Sequence, residues 1–140
     1  VPSEAFQIVS DENGLENEVI AYNAEGTGND VLSVTFTKGV NLSGDHNLTS
    51  VNNWTLNGTL LSNLSNVDSI KVEDADGNVA NGYERVIITF SDDRAFGASS
   101  NVVAVTKGIL SLDGTALTGE HEVVAETITS GTEITPQADK

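Results

Sequence analysis

The chain of 140 residues contains no cysteine, and this absence limits how the fold can be held together. Disulfide bonds and thiolate metal sites are excluded, so the stability has to come from packing. No apolar run approaches the roughly 18 residues that a membrane-spanning helix needs. Residues 1–7 also lack the basic and apolar regions of a signal peptide. The sequence therefore predicts no membrane insertion.

Basic residues are scarce as well. Only 6 Lys and Arg stand against 21 Asp and Glu, which gives a formal net charge of −15. A surface of this sign repels phosphate backbones and anionic lipid headgroups, so nucleic acid is excluded as a partner. It can instead attract divalent cations, which prefer oxygen ligands, or it can serve only to keep the protein soluble.

Recognisable catalytic motifs are absent from the sequence. The two histidines, His46 and His121, have no His or Cys at metal-ligand spacing. The G-x-S-x-G elbow, the phosphate-binding loop and the dinucleotide fingerprint do not occur. Carboxylates are so numerous that a pair at the separation used by glycosidases carries no information. The sequence thus predicts a protein that is not an enzyme.

Two stretches show the alternation of a β-strand. Residues 30–40 (DVLSVTFTKGV) alternate apolar with hydroxyl side chains. In residues 83–91 (YERVIITFS) one apolar face alternates with Arg85, Ile87 and Thr89. A period of two is typical of a strand with one buried face. The side chains predicted to face the core are Leu32, Val34, Phe36, Val86, Ile88 and Phe90.

Shorter extended segments fill the rest of the chain, separated by turn residues. We predict that residues 5–10 and 15–23 form a hairpin, and that residues 60–66 form either a crossover or a short helical turn. Trp54, the only tryptophan, is expected in the core. The remaining strands are predicted at residues 51–56, 68–73, 101–106 and 120–129. With no amphipathic helix, this spacing indicates an all-β sandwich of about seven to eight antiparallel strands.

The length suits a single domain with one core. We therefore expect one module over residues 1–140, with linker-like ends at residues 1–4 and 130–140 that contain Pro2 and Pro136. Such ends favour a module taken from a longer chain.

Three motifs carry a resemblance to a known family. They are VTFTK at residues 34–38, NWTLNG at residues 53–58 and VTKGILSLDG at residues 105–114. Together they resemble the bacterial Ig-like modules that repeat along Gram-positive S-layer and related cell-surface proteins, over about residues 30–128. The resemblance implies an Ig-like β-sandwich that serves as a structural module of a self-assembling surface layer.

The same resemblance implies an extracellular location at the cell surface or cell wall. The implied partners are neighbouring modules of the same chain and other copies of the protein in a lattice, and lattice assembly in this family often involves calcium. Fold does not determine function, so an adhesin or carbohydrate-binding module stays an alternative. That alternative would require exposed aromatic side chains, such as a pair formed by Tyr22 and Tyr83.

A calcium loop is one interpretation of residues 74–78 (DADGN), where oxygen-bearing side chains alternate. The loop is not an EF-hand, because Val79 and Arg85 occupy the positions where Gly and Glu are needed. The other interpretation is a hairpin turn in which Asp76 and Gly77 supply positive φ angles.

Strand order bears on the choice between these two interpretations. If consecutive strands reverse direction, the loops after residues 39, 73 and 106 all emerge at one end of the sandwich. Carboxylates crowded together there repel each other unless a cation relieves them. Calcium is therefore the expected cofactor, with predicted ligands Asp45, Asp74, Asp76, Asn78 and Asp113.

Overall fold

The computed structural model of the chain describes residues 5–10, 18–23, 30–73, 84–91, 96 and 101–129. The strands in this part are β1 (Val19–Asn23), β2 (Val31–Phe36), β3 (Trp54–Leu56), β4 (Thr59–Leu60), β5 (Val67–Glu73), β6 (Glu84–Phe90), β7 (Val102–Val105), β8 (Glu122–Val124) and β9 (Glu126–Thr129). Short 3-10 turns lie at Gly44–His46, Val51–Asn53 and Leu61–Asn63. Within these ranges no helix has the length and apolar character to cross a bilayer. The predicted linkers at residues 1–4 and 130–140 lie outside the described residues.

The strands form two sheets. One has the order β5-β6-β2-β1-β9 and the other the order β4-β3-β7-β8. Side chains from both sheets meet in one hydrophobic core, so the predicted all-β sandwich is confirmed. The strands are mostly antiparallel, as expected, but β1 and β9 are parallel, and so is the isolated bridge between Phe6 and Leu117.

The parallel pair arises because the last predicted strand, residues 120–129, divides between the sheets. Its first part, β8, pairs with β7, and its second part, β9, pairs with β1. The division falls at Ala125, which is buried and whose amide donates to the carbonyl of Asn101 at 2.8 Å. One stretch of sequence with continuous alternation therefore supplies a strand to each of the two sheets.

Aromatic side chains fill the centre of the core. The rings of Phe6 and Phe36 stack at 5.4 Å, and Phe36 meets Trp54 edge-on at 6.2 Å. Trp54 is fully buried, as predicted, and its indole N–H donates to the carbonyl of Leu48 at 2.9 Å. This bond satisfies the one polar atom of the side chain and ties the turn before β3 to the core.

The outward face of β2 is buried as well, which the alternation did not predict. Ser33 and Thr35 are 0% and 1% exposed. β2 is the central strand of its sheet, and the larger side chains of Ile20 and Ile87 lie directly across from Ser33. Small side chains between large ones lose their access to water. Periodicity thus identified the inward side chains of β2 correctly but could not say what flanks the outward ones.

The predicted hairpin between the first two extended segments is wrong. Ile8 pairs antiparallel with Phe36, and β1 also pairs antiparallel with β2. Thr35 joins the two pairings, because its carbonyl accepts from the amide of Val9 at 2.8 Å and its amide donates to the carbonyl of Glu18 at 3.2 Å. Both segments therefore run in the same direction along one edge of β2. Pairing with this central strand outweighs the local turn signal between them.

Two predicted turns are present in the structure. The β3–β4 hairpin places Asn57 and Gly58 at φ 53° and 84°, and the side-chain oxygen of Asn57 accepts from the amide of Val102 at 2.8 Å. Both alternatives for residues 60–66 are present, because Leu61–Asn63 form a 3-10 turn and the segment crosses from β4 in one sheet to β5 in the other.

Candidate functional site

One end of the sandwich collects the elements that carry the predicted site. β2 and β5 end where β6 begins, because Phe36 lies opposite Glu84 and Glu73 lies opposite Arg85. The ring of Phe36 also meets Trp54, which begins β3 beside the last residue of β7. β2, β5 and β7 therefore all end at this end of the sandwich, which we call the loop end. This is the arrangement expected from strands that reverse direction.

Lys38 is the central charged group of the loop end. It keeps the phase of Val34 and Phe36 beyond the end of β2, so its side chain points inward and is fully buried. Its ammonium nitrogen lies 2.8 Å from Oδ2 of Asp113. A buried ammonium is costly unless it has an anionic partner, and Asp113 supplies one from the segment that follows β7.

Asp113 is held by its own turn as well as by Lys38. The hydroxyls of Ser111 and Thr115 both donate to its Oδ1, the second at 2.8 Å. The Lys38 ammonium, followed by the Ser111 hydroxyl, holds the pKa of the Asp113 carboxyl far below its usual range. Desolvation opposes this effect, and Thr115 lowers the pKa by a smaller amount. Gly114, at φ 87°, provides the tight turn that brings these groups together.

The predicted calcium ligands fall into two groups. Asp74, Asp76 and Asn78 lie outside the described residues. Asp45 is exposed on the 3-10 turn, and Asp113 is engaged by Lys38. In the part of the chain that the structure describes, no three His, Asp or Glu side chains form a group able to hold a metal ion. Calcium at these five residues stays a prediction.

Asn53 fixes the segment that contains Asp45. Its side-chain amide donates to the carbonyl of Asp45 at 3.1 Å and to the carbonyl of Asn47 at 2.9 Å. The neighbouring Trp54 donates to the carbonyl of Leu48. The first two residues of the NWTLNG motif thus order one turn at the loop end, and their function is structural.

Arg85 is a buried charged residue that the sequence patterns did not single out. It is 4% exposed, and its guanidinium nitrogens lie 3.9 Å from a carboxylate oxygen of Glu18 and 3.9 Å from one of Glu73. It lies directly opposite Thr35 on the outward face of β2. The alternation places Arg85 on the outward face and gave no signal of its burial. For Lys38 and Glu84 the signal was available, because both keep the phase of the core side chains of their strands.

The aromatic side chains bear on the alternative function. Trp54 and all four Phe are buried, so the described part of the chain uses these rings for packing. Tyr22 is partly exposed on the outward face of the five-stranded sheet. Its predicted companion, Tyr83, lies outside the described residues.

Comparison of the chain with protein-family models, with curated proteins and with solved structures finds no match. The structure does show how the three sequence motifs relate to one another. Lys38 of the first motif binds Asp113 of the third. Trp54 of the second motif packs on Phe36 of the first and pairs with Val105 of the third. All three motifs therefore meet at the loop end.

Proposed function

We propose that the chain is a non-catalytic, Ig-like structural module of a self-assembling bacterial surface layer, located outside the cell. It contacts neighbouring modules of the same chain and other copies of the protein. The observation that carries this proposal is the meeting of the three motifs at the loop end, where they bind each other through Lys38, Trp54 and Asp113. Motifs that serve to close a sandwich are those expected of a repeated structural unit.

The distribution of charged residues between the core and the surface supports the same function. Lys38 and Arg85, two of the 6 basic residues, are buried against carboxylates. Glu18, Asp30 and Glu84 are buried as well, so the exposed surface keeps nearly the whole net charge of −15. A strongly acidic coat keeps modules soluble until specific faces or cations bring them together.

Electron microscopy tests the proposal. The chain is produced as tandem copies and imaged after dialysis, with and without millimolar calcium. We expect ordered sheets or end-to-end assemblies. A chain that stays dispersed in both conditions, and that instead binds oligosaccharides in a glycan-binding assay, would contradict the proposal and favour the adhesin alternative.

Calcium is a separate part of the proposal and has its own test. Titration calorimetry and thermal unfolding at millimolar calcium should show binding heat and a raised melting temperature. The variant Asp74→Asn with Asp76→Asn should lose both effects, while Asp68→Asn, an exposed strand residue with the same chemistry, should keep them. If the unaltered chain shows neither heat nor stabilisation, the calcium prediction is wrong and the structural function has to stand without it.

A further inference from the structure

The first and the last described segments lie at opposite ends of the sandwich. Residues 5–9 lie beside the last residues of β2 at the loop end, where the amide of Thr37 donates to the carbonyl of Gln7 at 2.9 Å. β1 is antiparallel to β2, so Asn23 at the end of β1 lies away from the loop end. Thr129, the last residue of β9, lies opposite Asn23. Tension applied through residues 5 and 129 therefore acts along the strands.

The direction of β9 decides how this tension loads the sheet. β1 and β9 are parallel neighbours over four residue pairs, from Ile20 and Glu126 to Asn23 and Thr129. Tension draws β1 towards the loop end, through residues 5–9, and draws β9 towards the opposite end. Hydrogen bonds between parallel strands are evenly spaced, so sliding one strand past the other stretches all of them together. An antiparallel β9 would instead end at the loop end and would be peeled away one bond at a time.

Residues 5–9 are loaded in the same way. This segment runs antiparallel to β2, as Ile8 and Phe36 show, and pulling residue 5 away from the loop end slides it along β2. Its hydrogen bonds include those from the Val9 amide to the Thr35 carbonyl at 2.8 Å, from the Thr37 hydroxyl to the Ala5 carbonyl at 2.6 Å and from the Thr118 amide to the Phe6 carbonyl at 2.9 Å. These bonds also stretch together, because they all cross the direction of sliding.

Two asparagine side chains fasten β1 and β9 to the rest of the fold. The amide group of Asn23 donates to the carbonyl of Phe96 at 2.9 Å, and its oxygen accepts from the amide of the same residue at 2.6 Å. Asn101 donates to the hydroxyl of Thr127 at 3.1 Å and accepts from the amide of Ala125 at 2.8 Å. Both strands are therefore held at further points, which resists the lifting of one strand away from the other.

We propose that this module bears tension along its long axis and that the parallel pair of β1 and β9, which we call the β1–β9 clamp, resists it. The inference rests on the proposed function, because a module is stretched in this way only when both of its ends are joined to neighbouring modules. Forced unfolding depends on the unfolding barrier rather than on the equilibrium stability. The same folded chain should consequently resist force well in one direction and poorly in another.

Single-molecule force spectroscopy in two pulling geometries tests the proposal. In the first geometry the handles are joined to the two ends of the chain. In the second they are joined through Asp68→Cys and Ser91→Cys, two exposed positions where β5 and β6 meet; the chain has no cysteine of its own to compete for the handles. This second geometry peels the edge strand β5 from β6 one bond at a time. We expect the end-to-end unfolding force to be several-fold higher than the peeling force. Equal forces in the two geometries would overturn the proposal.

Two proline variants identify the clamp. Successive amides along a strand point to opposite sides, so one of Thr127 and Ile128 directs its amide towards β1 and the other directs it away from the sheet. Proline removes the amide hydrogen and is tolerated on an edge strand where that hydrogen faces outward. Of Thr127→Pro and Ile128→Pro, one should therefore lower the end-to-end force and the other should change it little. Thr127→Val removes only the hydroxyl that Asn101 contacts and controls for that bond. If neither proline variant lowers the end-to-end force, the β1–β9 clamp does not bear the load and the proposal is wrong.

The measurements separate this inference from the proposed function. If tandem copies form ordered assemblies but the end-to-end force is no higher than the peeling force, the clamp fails and the surface-layer function holds. If the end-to-end force is several-fold higher but no assembly forms with or without calcium, the clamp holds and the surface-layer function fails.

Discussion

The ion pair of Lys38 and Asp113 predicts that removing one partner costs more stability than removing the other. Asp113→Asn keeps the side-chain volume but removes the anion beside a fully buried ammonium. Lys38→Met keeps an unbranched stem and removes the cation, leaving a carboxylate that is 27% exposed and still bonded to Ser111 and Thr115. The first variant should therefore be the less stable of the two.

The magnitudes follow from the exposure of each partner. Removing one partner of a buried ion pair typically costs about 3–5 kcal/mol. We expect Asp113→Asn to lower the free energy of unfolding by about 3 kcal/mol, the low end of this range, because position 113 is partly exposed and water can approach Lys38 there. Lys38→Met should cost about 1 kcal/mol, since Asp113 can be solvated. The double variant should resemble Lys38→Met alone, because the ammonium that needed Asp113 is gone.

Urea unfolding followed by tryptophan fluorescence provides the assay. Trp54 is the only tryptophan and is fully buried, so its emission reports the core. In thermal unfolding the two single variants should lose roughly 10 °C and 3 °C. The reasoning is refuted if Lys38→Met lowers the free energy of unfolding as much as Asp113→Asn does. It is also refuted if the double variant is less stable than either single variant.

Three further predictions concern Asp113, Gly58 and Asn53. Folding lowers the pKa of Asp113, so the unfolded chain takes up the proton first as the pH falls. The stability that Asp113 supplies is therefore complete above about pH 4 and is lost on further acidification. The urea midpoints of the unaltered chain and of Asp113→Asn should become more similar below that pH. Gly58→Ala should cost about 1 kcal/mol from its φ of 84° alone, since no atom lies within 4 Å of the added methyl group; a much larger loss in urea unfolding would contradict this. Asn53→Ala should lower the free energy of unfolding, measured by calorimetry, by about 2 kcal/mol, because two carbonyls lose their donor. The control Asn52→Ala, at an exposed position, should leave the stability nearly unchanged.

Part of the site was readable from the sequence and part was not. The phase of Lys38 after Val34 and Phe36 places it in the core, and a buried lysine requires an anion. Which of the 21 acidic residues serves it could not be predicted. The answer depends on how the segment after β7 packs against the end of β2, and no local pattern encodes that packing. The calcium loop at residues 74–78 stays a prediction, because these residues lie outside the part of the chain that the structure describes.

Local chemistry determined the elements of this protein. Alternation in β2 and β6 depends only on neighbouring residues, the turn at Asn57 and Gly58 depends on their tolerance of positive φ, and the burial of Trp54 follows from its apolar area. These features were correct in the sequence interpretation.

The tertiary structure decided which elements pair. It placed the first two segments along one edge of β2 and divided the last predicted strand at Ala125. It also placed Ile20 and Ile87 on either side of Ser33, which buries the hydroxyl side chain. Each outcome depends on hydrogen bonds between residues far apart in the chain. Such pairings are selected by the global packing of two sheets, so the sequence pattern of one strand does not contain them.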